Sequence, residues 1–268
     1  MLPSDPNQAP VSASENDEEK IYVNAAQMME LVAQNYTQGK LIDTEKLCLK
    51  LLAWNEEHAP AWFFRGLVAQ AEGRHDEALD FLQKSSAAPD LIVPRLIAEG
   101  RSLIAQGATD DAIHRMRQAL DFQPDNAEAQ YWIGFGLKMK NELTEARSYL
   151  RRATLLNPEF APAWYELGNV TLMDNRFDEA VRAFEKAAKL MPDAAEIPNN
   201  LALAHQAAGH LDAAETAFRR ALELSPDYPE AMANLGLLLR SQERLDESKA
   251  LLDRALSLRP ELREVLPD

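Results

Sequence analysis

The sequence predicts an all-α solenoid of about seven helix–turn–helix repeats, each 34 residues long. Three observations carry this prediction. Small residues recur at a spacing of 34 residues, prolines recur at the same spacing, and Ala and Leu dominate the composition while β-branched residues are few. A fixed repeat of this length is typical of proteins in which each helix pair buries its apolar face against its neighbours.

Small residues occupy three columns of the repeat. The second column follows the first by twelve residues, and the third follows seven residues later. Their members are Gly66, Gly100, Gly134, Gly168, Ala202 and Gly236, then Ala78, Ala112, Ala146, Ala180, Ala214 and Ser248, then Ser85, Ala119, Ala153, Ala187, Ala221 and Ala255. Prolines that cannot continue a helix close most units, at Pro124, Pro158, Pro192, Pro226 and Pro260.

The columns have a packing reason. Small residues are expected where the two helices of one repeat approach most closely, because a larger side chain there destabilises the fold by about 1–3 kcal/mol. Bulky residues lie beside them at helical spacing and complete an apolar stripe: Leu82, Met116, Leu150, Phe184, Phe218 and Leu252. The break between the two helices is predicted at residues suited to a left-handed C-cap: Gly73, Gly107, Asn141, Asn175 and Gly209.

The chain divides into four parts. Residues 1–20 hold almost no large apolar side chain and predict a disordered acidic tail. Helical composition begins at Ile21, and residues 21–58 predict a degenerate first repeat or capping helix pair. Six repeats follow, and residues 263–268 form a short C-terminal tail. The repeats are 59–92, 93–126, 127–160, 161–194, 195–228 and 229–262.

The C-terminal end is less regular, because the residues after Pro260 are too few for a further solvating helix. Terminal repeats need a polar outer face to remain soluble. The last helix mixes Leu251 and Leu258 with Asp253 and Arg254. Either these charges suffice, or a further domain follows in a longer chain, or the last repeat pairs with a second copy to form a homo-oligomer.

Charge and composition exclude several classes. The net charge of −15 disfavours binding to nucleic acid or to an anionic membrane, and no basic run exceeds pairs such as Arg151–Arg152. The N-terminus lacks the pattern of a secretory signal, and no apolar run is long enough to insert into a membrane. The single cysteine, Cys48, excludes an internal disulfide and is expected in the core. A cytoplasmic location is expected.

Two segments carry a specific resemblance. Residues 59–62 (Ala-Pro-Ala-Trp) precede Gly66 and Ala78, and residues 161–168 (Ala-Pro-Ala-Trp-Tyr-Glu-Leu-Gly) precede Ala180, Phe184, Ala187 and Pro192. Both resemble the signature of the tetratricopeptide repeat (TPR) family, and the resemblance covers about nine tenths of the chain. It implies a right-handed superhelix whose concave groove, lined by the first helix of each unit, binds a peptide or helix of a partner protein.

The resemblance also indicates which side chains line the groove. Family lining positions fall on an aromatic and apolar stretch, Tyr131, Phe135, Met139 and Tyr165. Toward the C-terminal half the lining becomes amide, at Asn169, Asn199, Asn200 and Asn234. Tyr131 and Phe63 fit ordinary packing equally well. Because an amide both donates and accepts, a series of them can hold a peptide backbone. Asn200 and Asn234 resemble two rungs of the asparagine ladder of the O-linked N-acetylglucosamine transferase superhelix; solvent-facing or capping asparagines are the alternative.

No motif indicates catalysis. The five histidines show no metal-ligand spacing, and His205 is expected to be packed on an inward helix face. The glycines form no phosphate-binding loop, and no nucleophile elbow exists. We therefore expect no catalytic residue, cofactor or metal. The leading hypothesis is a protein-interaction scaffold; the alternatives are the targeting module of a transferase and a self-assembling structural scaffold.

Overall fold

The computed structural model describes residues 8–11 and 21–264. Within these residues lie fourteen α-helices and three short 3-10 helices, Ser85–Ala87, Pro89–Leu91 and Pro260–Glu264. The α-helices are α1 Ala25–Thr37, α2 Leu41–Trp54, α3 Ala59–Ala71, α4 His75–Lys84, α5 Ile92–Ala105, α6 Thr109–Phe122, α7 Ala127–Met139, α8 Leu143–Leu156, α9 Ala161–Met173, α10 Phe177–Leu190, α11 Glu196–Ala207, α12 Leu211–Leu224, α13 Pro229–Ser241 and α14 Leu245–Leu258. The odd-numbered helices begin 33 to 35 residues apart. The prediction of an all-α fold built from successive helix pairs is confirmed.

A short antiparallel strand pair precedes the helices. Strand β1, Gln8–Val11, pairs with β2, Ile21–Asn24, so that Gln8 lies opposite Asn24. Helix therefore begins at Ala25 and not at Ile21, because the Ile-Tyr-Val run favours extended backbone. Apart from β1, the tail predicted for residues 1–20 lies outside the described residues, as do residues 265–268 of the predicted C-terminal tail.

The chain forms two compact units, Met1–Trp132 (unit 1) and Ile133–Asp268 (unit 2). In unit 1, α1 packs on α2, α3 on α4 and α5 on α6. The first of these pairs encloses Met28, Val32 and Cys48. Burial raises the pKa of the Cys48 thiol to about 12, so this residue is a core side chain, as expected.

In unit 2, α9 packs on α10, α11 on α12 and α13 on α14. Phe184 and Phe218, on α10 and α12, are among its fully buried side chains. At the C-terminal end, Leu262 of the last 3-10 helix packs near Met232 and Ala255. Leu262 thus covers part of the apolar surface of the last helix pair.

The glycine column lies where the paired helices meet. A Cβ atom built on Gly168 would lie 2.6 Å from the ring of Phe184, and one built on Gly134 would lie 2.6 Å from Leu150 Cγ. Carbon atoms cannot approach so closely, so a side chain at Gly168 or Gly134 would force the bulky residue of the second helix to shift. The predicted pairing of small and bulky columns is confirmed.

The breaks between paired helices adopt the left-handed conformation. All five predicted C-cap residues have positive φ, from 56° at Asn175 to 82° at Gly209. Two further positions share it: Gly39, with φ of 72°, and Glu243, with φ of 63°. The turn at Glu243 has the hydrogen-bond pattern of the other turns. Arg244 N donates to Leu239 O (3.0 Å), and Glu243 N donates to Arg240 O (3.1 Å). Backbone context thus imposes a conformation that glutamate disfavours.

Replacing Glu243 with glycine is therefore expected to stabilise unit 2 by about 1 kcal/mol, because glycine has no Cβ to clash in this conformation. Urea unfolding followed by circular dichroism measures the difference. Glu243→Ala, which removes the carboxylate but keeps the Cβ, is the control and should change little. Equal stabilisation by both variants would assign the effect to charge and contradict the backbone explanation.

Candidate functional site

The amides of α9, α11 and α13 are joined by hydrogen bonds. Asn234 Nδ2 donates to Asn199 Oδ1 (3.1 Å), Asn199 Nδ2 donates to Asn200 Oδ1 (3.1 Å), and Asn200 Nδ2 donates to Asn169 Oδ1 (3.0 Å). The four side chains therefore form one chain across three successive odd-numbered helices. We call the face formed by Tyr165, Asn169, Asn199, Asn200 and Asn234 the amide surface.

A buried ion pair sets the direction in which the hydrogen bonds between these amides run. Glu166 Oε2 accepts from Asn169 Nδ2 (3.2 Å) and from Lys138 Nζ (2.6 Å). The side chains of Glu166 and Lys138 are only 10% and 20% exposed. A carboxylate can only accept, so Asn169 must turn its nitrogen toward Glu166 and its oxygen toward Asn200. Each following amide is oriented in turn.

Tyr165 closes one side of the amide surface. Its hydroxyl accepts a second hydrogen bond from Asn200 Nδ2 (3.1 Å), and its ring centroid lies 6.0 Å from that of Phe184. Burial is the main cause that raises the pKa of the Tyr165 hydroxyl. Both N–H groups of Asn200 are thus used, which holds this amide in one orientation.

The amide surface is open to a ligand. Tyr165, Asn169, Asn200 and Asn234 are half-buried, whereas Asn199 is only 5% exposed. One N–H and the Oδ1 atom of Asn234 take no part in the chain of amides. A rigid polar face with this spare capacity can bind a peptide backbone without first being ordered.

Unit 2 also carries exposed or half-buried apolar candidates. Met139 and Met173 lie one repeat apart at the C-terminal ends of α7 and α9, and each is 50% exposed. Phe135 is half-buried, with Lys138 Nζ 4.6 Å from its ring centroid. Exposed methionine is adaptable and suits contact with varied partner side chains.

The structure places the remaining aromatic candidates in unit 1. Tyr131 is half-buried, and its ring meets that of Trp132 edge-on, with centroids 5.0 Å apart. Phe63 is 7% exposed and packs with Leu82 and Ala98. The structure therefore supports core packing for this residue over groove lining.

Two members of the hydrogen-bonded network were not predicted: Glu166 and Lys138. Asn199, which lies next to Asn200 in the sequence, was expected among the lining amides. His205 is half-buried, and its Nδ1 atom is buried without a hydrogen-bond partner within the described residues. Burial and the neighbouring His210 lower the pKa of His205.

The described part of the chain offers neither a metal site nor a membrane-spanning helix. No group of three or more His, Cys, Asp or Glu side chains is arranged to hold a metal ion there. None of its helices combines the length and apolarity needed to cross a bilayer.

Comparison with known proteins identifies the family. Residues 20–264 match the family described as the cilia and flagella-associated protein 70 C-terminal domain, a TPR domain. No curated protein matches the chain.

Several solved structures share the fold. The APC/C hetero-tetramer Cut9–Hcn1 aligns with a TM-score of 0.71 at 20% identity, over 88% of this chain and 47% of that one. MamA from Desulfovibrio magneticus RS-1 aligns with a TM-score of 0.59 at 17% identity, over 63% of this chain and 96% of that one. YrrB, described as a TPR protein with an unusual peptide-binding site, aligns with a TM-score of 0.56 at 20% identity, over 69% of this chain and 95% of that one. The shared fold, the successive helix pairs and the family match over residues 20–264 lead to one conclusion. The chain belongs to the TPR family of the cilia and flagella-associated protein 70 C-terminal domain.

Proposed function

We propose that the chain is a protein-interaction scaffold that holds a peptide or helix segment of a partner protein against the amide surface of unit 2. The observation that carries the proposal is the chain of hydrogen bonds from Asn234 to Asn169, which presents half-buried amides from three successive helices on one face. Binding to a prearranged surface avoids the entropy cost of ordering side chains.

The composition of the surface supports this ligand class. Amide groups recognise a main chain without reading its sequence, whereas Tyr165 and the two exposed methionines offer apolar contact to side chains. Tyrosine and methionine are both enriched where proteins bind other proteins. The TPR fold is shared with YrrB, whose description names a peptide-binding site.

A pull-down from an extract of the source cells, read by mass spectrometry, tests the proposal. We expect the triple variant Tyr165→Ala/Asn200→Ala/Asn234→Ala to lose a partner that the wild type retains. The control, Lys189→Ala/Asp193→Ala/Lys249→Ala, changes three exposed residues of unit 2 and should retain that partner. If the triple variant folds, as judged by circular dichroism, and retains every partner, the proposal is wrong.

A second variant keeps the test decisive if the triple variant is unstable. Met139→Glu/Met173→Glu changes two side chains that are half exposed, so the fold should persist. Two buried carboxylates at an interface would cost most of the binding, since an unpaired charge there loses its hydration. Retention of all partners by this folded variant would also contradict the proposal.

A further inference from the structure

A row of polar and basic side chains follows one face of α8. Thr144, Arg147, Ser148, Arg151 and Leu155 stand at positions i, i+3, i+4, i+7 and i+11, so they share that face. Together with Arg152, they line one side of a cavity of about 540 Å³, and Arg176 and Glu179 from the start of α10 line the other. The row from Thr144 to Leu155 extends for about 16 Å at the helical rise per residue.

Four guanidinium groups meet in this cavity, and two of them have no acidic partner. Arg147 pairs with Asp174 (3.0 Å), and Arg176 pairs with Asp174 (3.1 Å) and Glu179 (3.7 Å). Arg151 and Arg152 are exposed and make no ion pair within residues 24–264. The cavity therefore keeps unneutralised positive charge in a chain whose net charge is −15.

We propose that this cavity binds an acidic peptide segment of a partner protein, through several carboxylates and one apolar side chain. Guanidinium groups bind carboxylates through paired, charge-assisted hydrogen bonds. The hydroxyls of Thr144 and Ser148 can donate further hydrogen bonds, and Leu155, which is 67% exposed, provides apolar contact at the end of the row.

The shape and charge of the site favour a short acidic peptide over other anions. The guanidiniums of Arg147, Arg151 and Arg152 are spread over about one and a half turns of α8. With Arg176 from a second element, they suit several separate carboxylates along a chain better than a single phosphate. A nucleic acid would extend beyond the cavity and meet the acidic remainder of the surface. A short peptide is affected mainly by charges within about 8 Å, the screening length at physiological salt.

This site is separate from the amide surface, because its residues come from α8 and α10. The sequence did not reveal this site. Arg151 and Arg152 appear there as an isolated pair, and Arg147 and Arg176 join them only where the fold brings their residues to one cavity. Failure of this proposal would leave the proposed function of the amide surface standing.

Fluorescence anisotropy with a labelled peptide of six glutamates and two leucines tests the proposal. We expect saturable binding to the full chain, weakened about ten-fold or more when glutamine replaces glutamate in the peptide. Arg151→Glu/Arg152→Glu should weaken binding about ten-fold or more, because attraction becomes repulsion. Lys189→Glu/Lys249→Glu, with the same change in net charge but outside the cavity, should stay within about two-fold.

Several outcomes would overturn the proposal: no saturable binding of the acidic peptide, equal binding of the glutamine peptide, or no loss in Arg151→Glu/Arg152→Glu. Tighter binding of a phosphoserine peptide or of duplex DNA through the same two arginines would assign the site to that ligand instead. A wild-type dimer that becomes monomeric in Arg151→Glu/Arg152→Glu, measured by light scattering, would show that a second copy occupies the cavity.

Discussion

Replacing Phe184 with alanine is expected to lower the free energy of unfolding of unit 2 by about 3–5 kcal/mol, the usual cost of removing a buried aromatic ring. Phe184 is fully buried on α10, packs with Ala180 and Ile197, and occupies the space that Gly168 leaves on α9. Its loss would leave a cavity between α9, α10 and α11. Urea unfolding monitored by circular dichroism measures the effect.

Phe177→Ala is the matched control for this prediction. Phe177 begins the same helix but is only half-buried, so its replacement should cost about 1 kcal/mol or less, since less apolar surface is lost. Because repeats contact mainly their neighbours, the unfolding curve of Phe184→Ala should also lose cooperativity. Equal costs for the two variants would contradict the packing of the small and bulky columns described above.

Replacing Glu166 with alanine is expected to destabilise unit 2 by about 2–3 kcal/mol, because it leaves Lys138 without a counter-ion. This is below the usual cost of breaking a fully buried pair, since Lys138 is 20% exposed and can turn toward water. Asn169 Nδ2 also loses its acceptor. Thermal and urea unfolding of the two proteins measure the difference.

Glu166→Gln separates charge from hydrogen bonding in this position. Glutamine keeps an oxygen that can accept from Asn169 and Lys138 but removes the negative charge, so its cost should lie between those of wild type and Glu166→Ala. If Glu166→Ala leaves the free energy of unfolding unchanged, the ion pair does not anchor the hydrogen-bonded amides.

The fold was predictable because its information is periodic. The columns that contain Gly168, Ala180 and Phe184 recur at a fixed spacing. Each column reflects a contact between the two paired helices of one repeat. Departures from the columns could not be predicted from spacing alone. Glu243, one repeat after Gly209, adopts the left-handed conformation without being glycine or asparagine.

The irregular stretch after α4 illustrates the same limit. This helix ends at Lys84, and the 3-10 helices Ser85–Ala87 and Pro89–Leu91 replace its last turn. Pro89 cannot donate a helical hydrogen bond and restricts the residue before it, which ends the helix early. The repeat spacing places the helix pair correctly but does not show this change within it.

The candidate site was predictable only in part. Lining positions carried over from the family located Asn169, Asn200 and Asn234, because they depend on position in the repeat. The bonds between them join residues 31 and 35 positions apart and depend on side-chain rotamers, as does the link from Glu166 to Lys138. The sequence therefore suggested amides that face a ligand, whereas the structure shows amides that first orient one another.

The central claim is that a partner binds at the amide surface of unit 2, and site-specific photo-crosslinking tests it most directly. A photoreactive phenylalanine analogue placed at Met139 or Met173, both half exposed at the C-terminal ends of α7 and α9, is predicted to crosslink the partner recovered by the wild type. The same analogue at Ile42, which is 67% exposed on α2, is the control and should give no such product. Crosslinking from Ile42 alone, with none from Met139 or Met173, would contradict the claim.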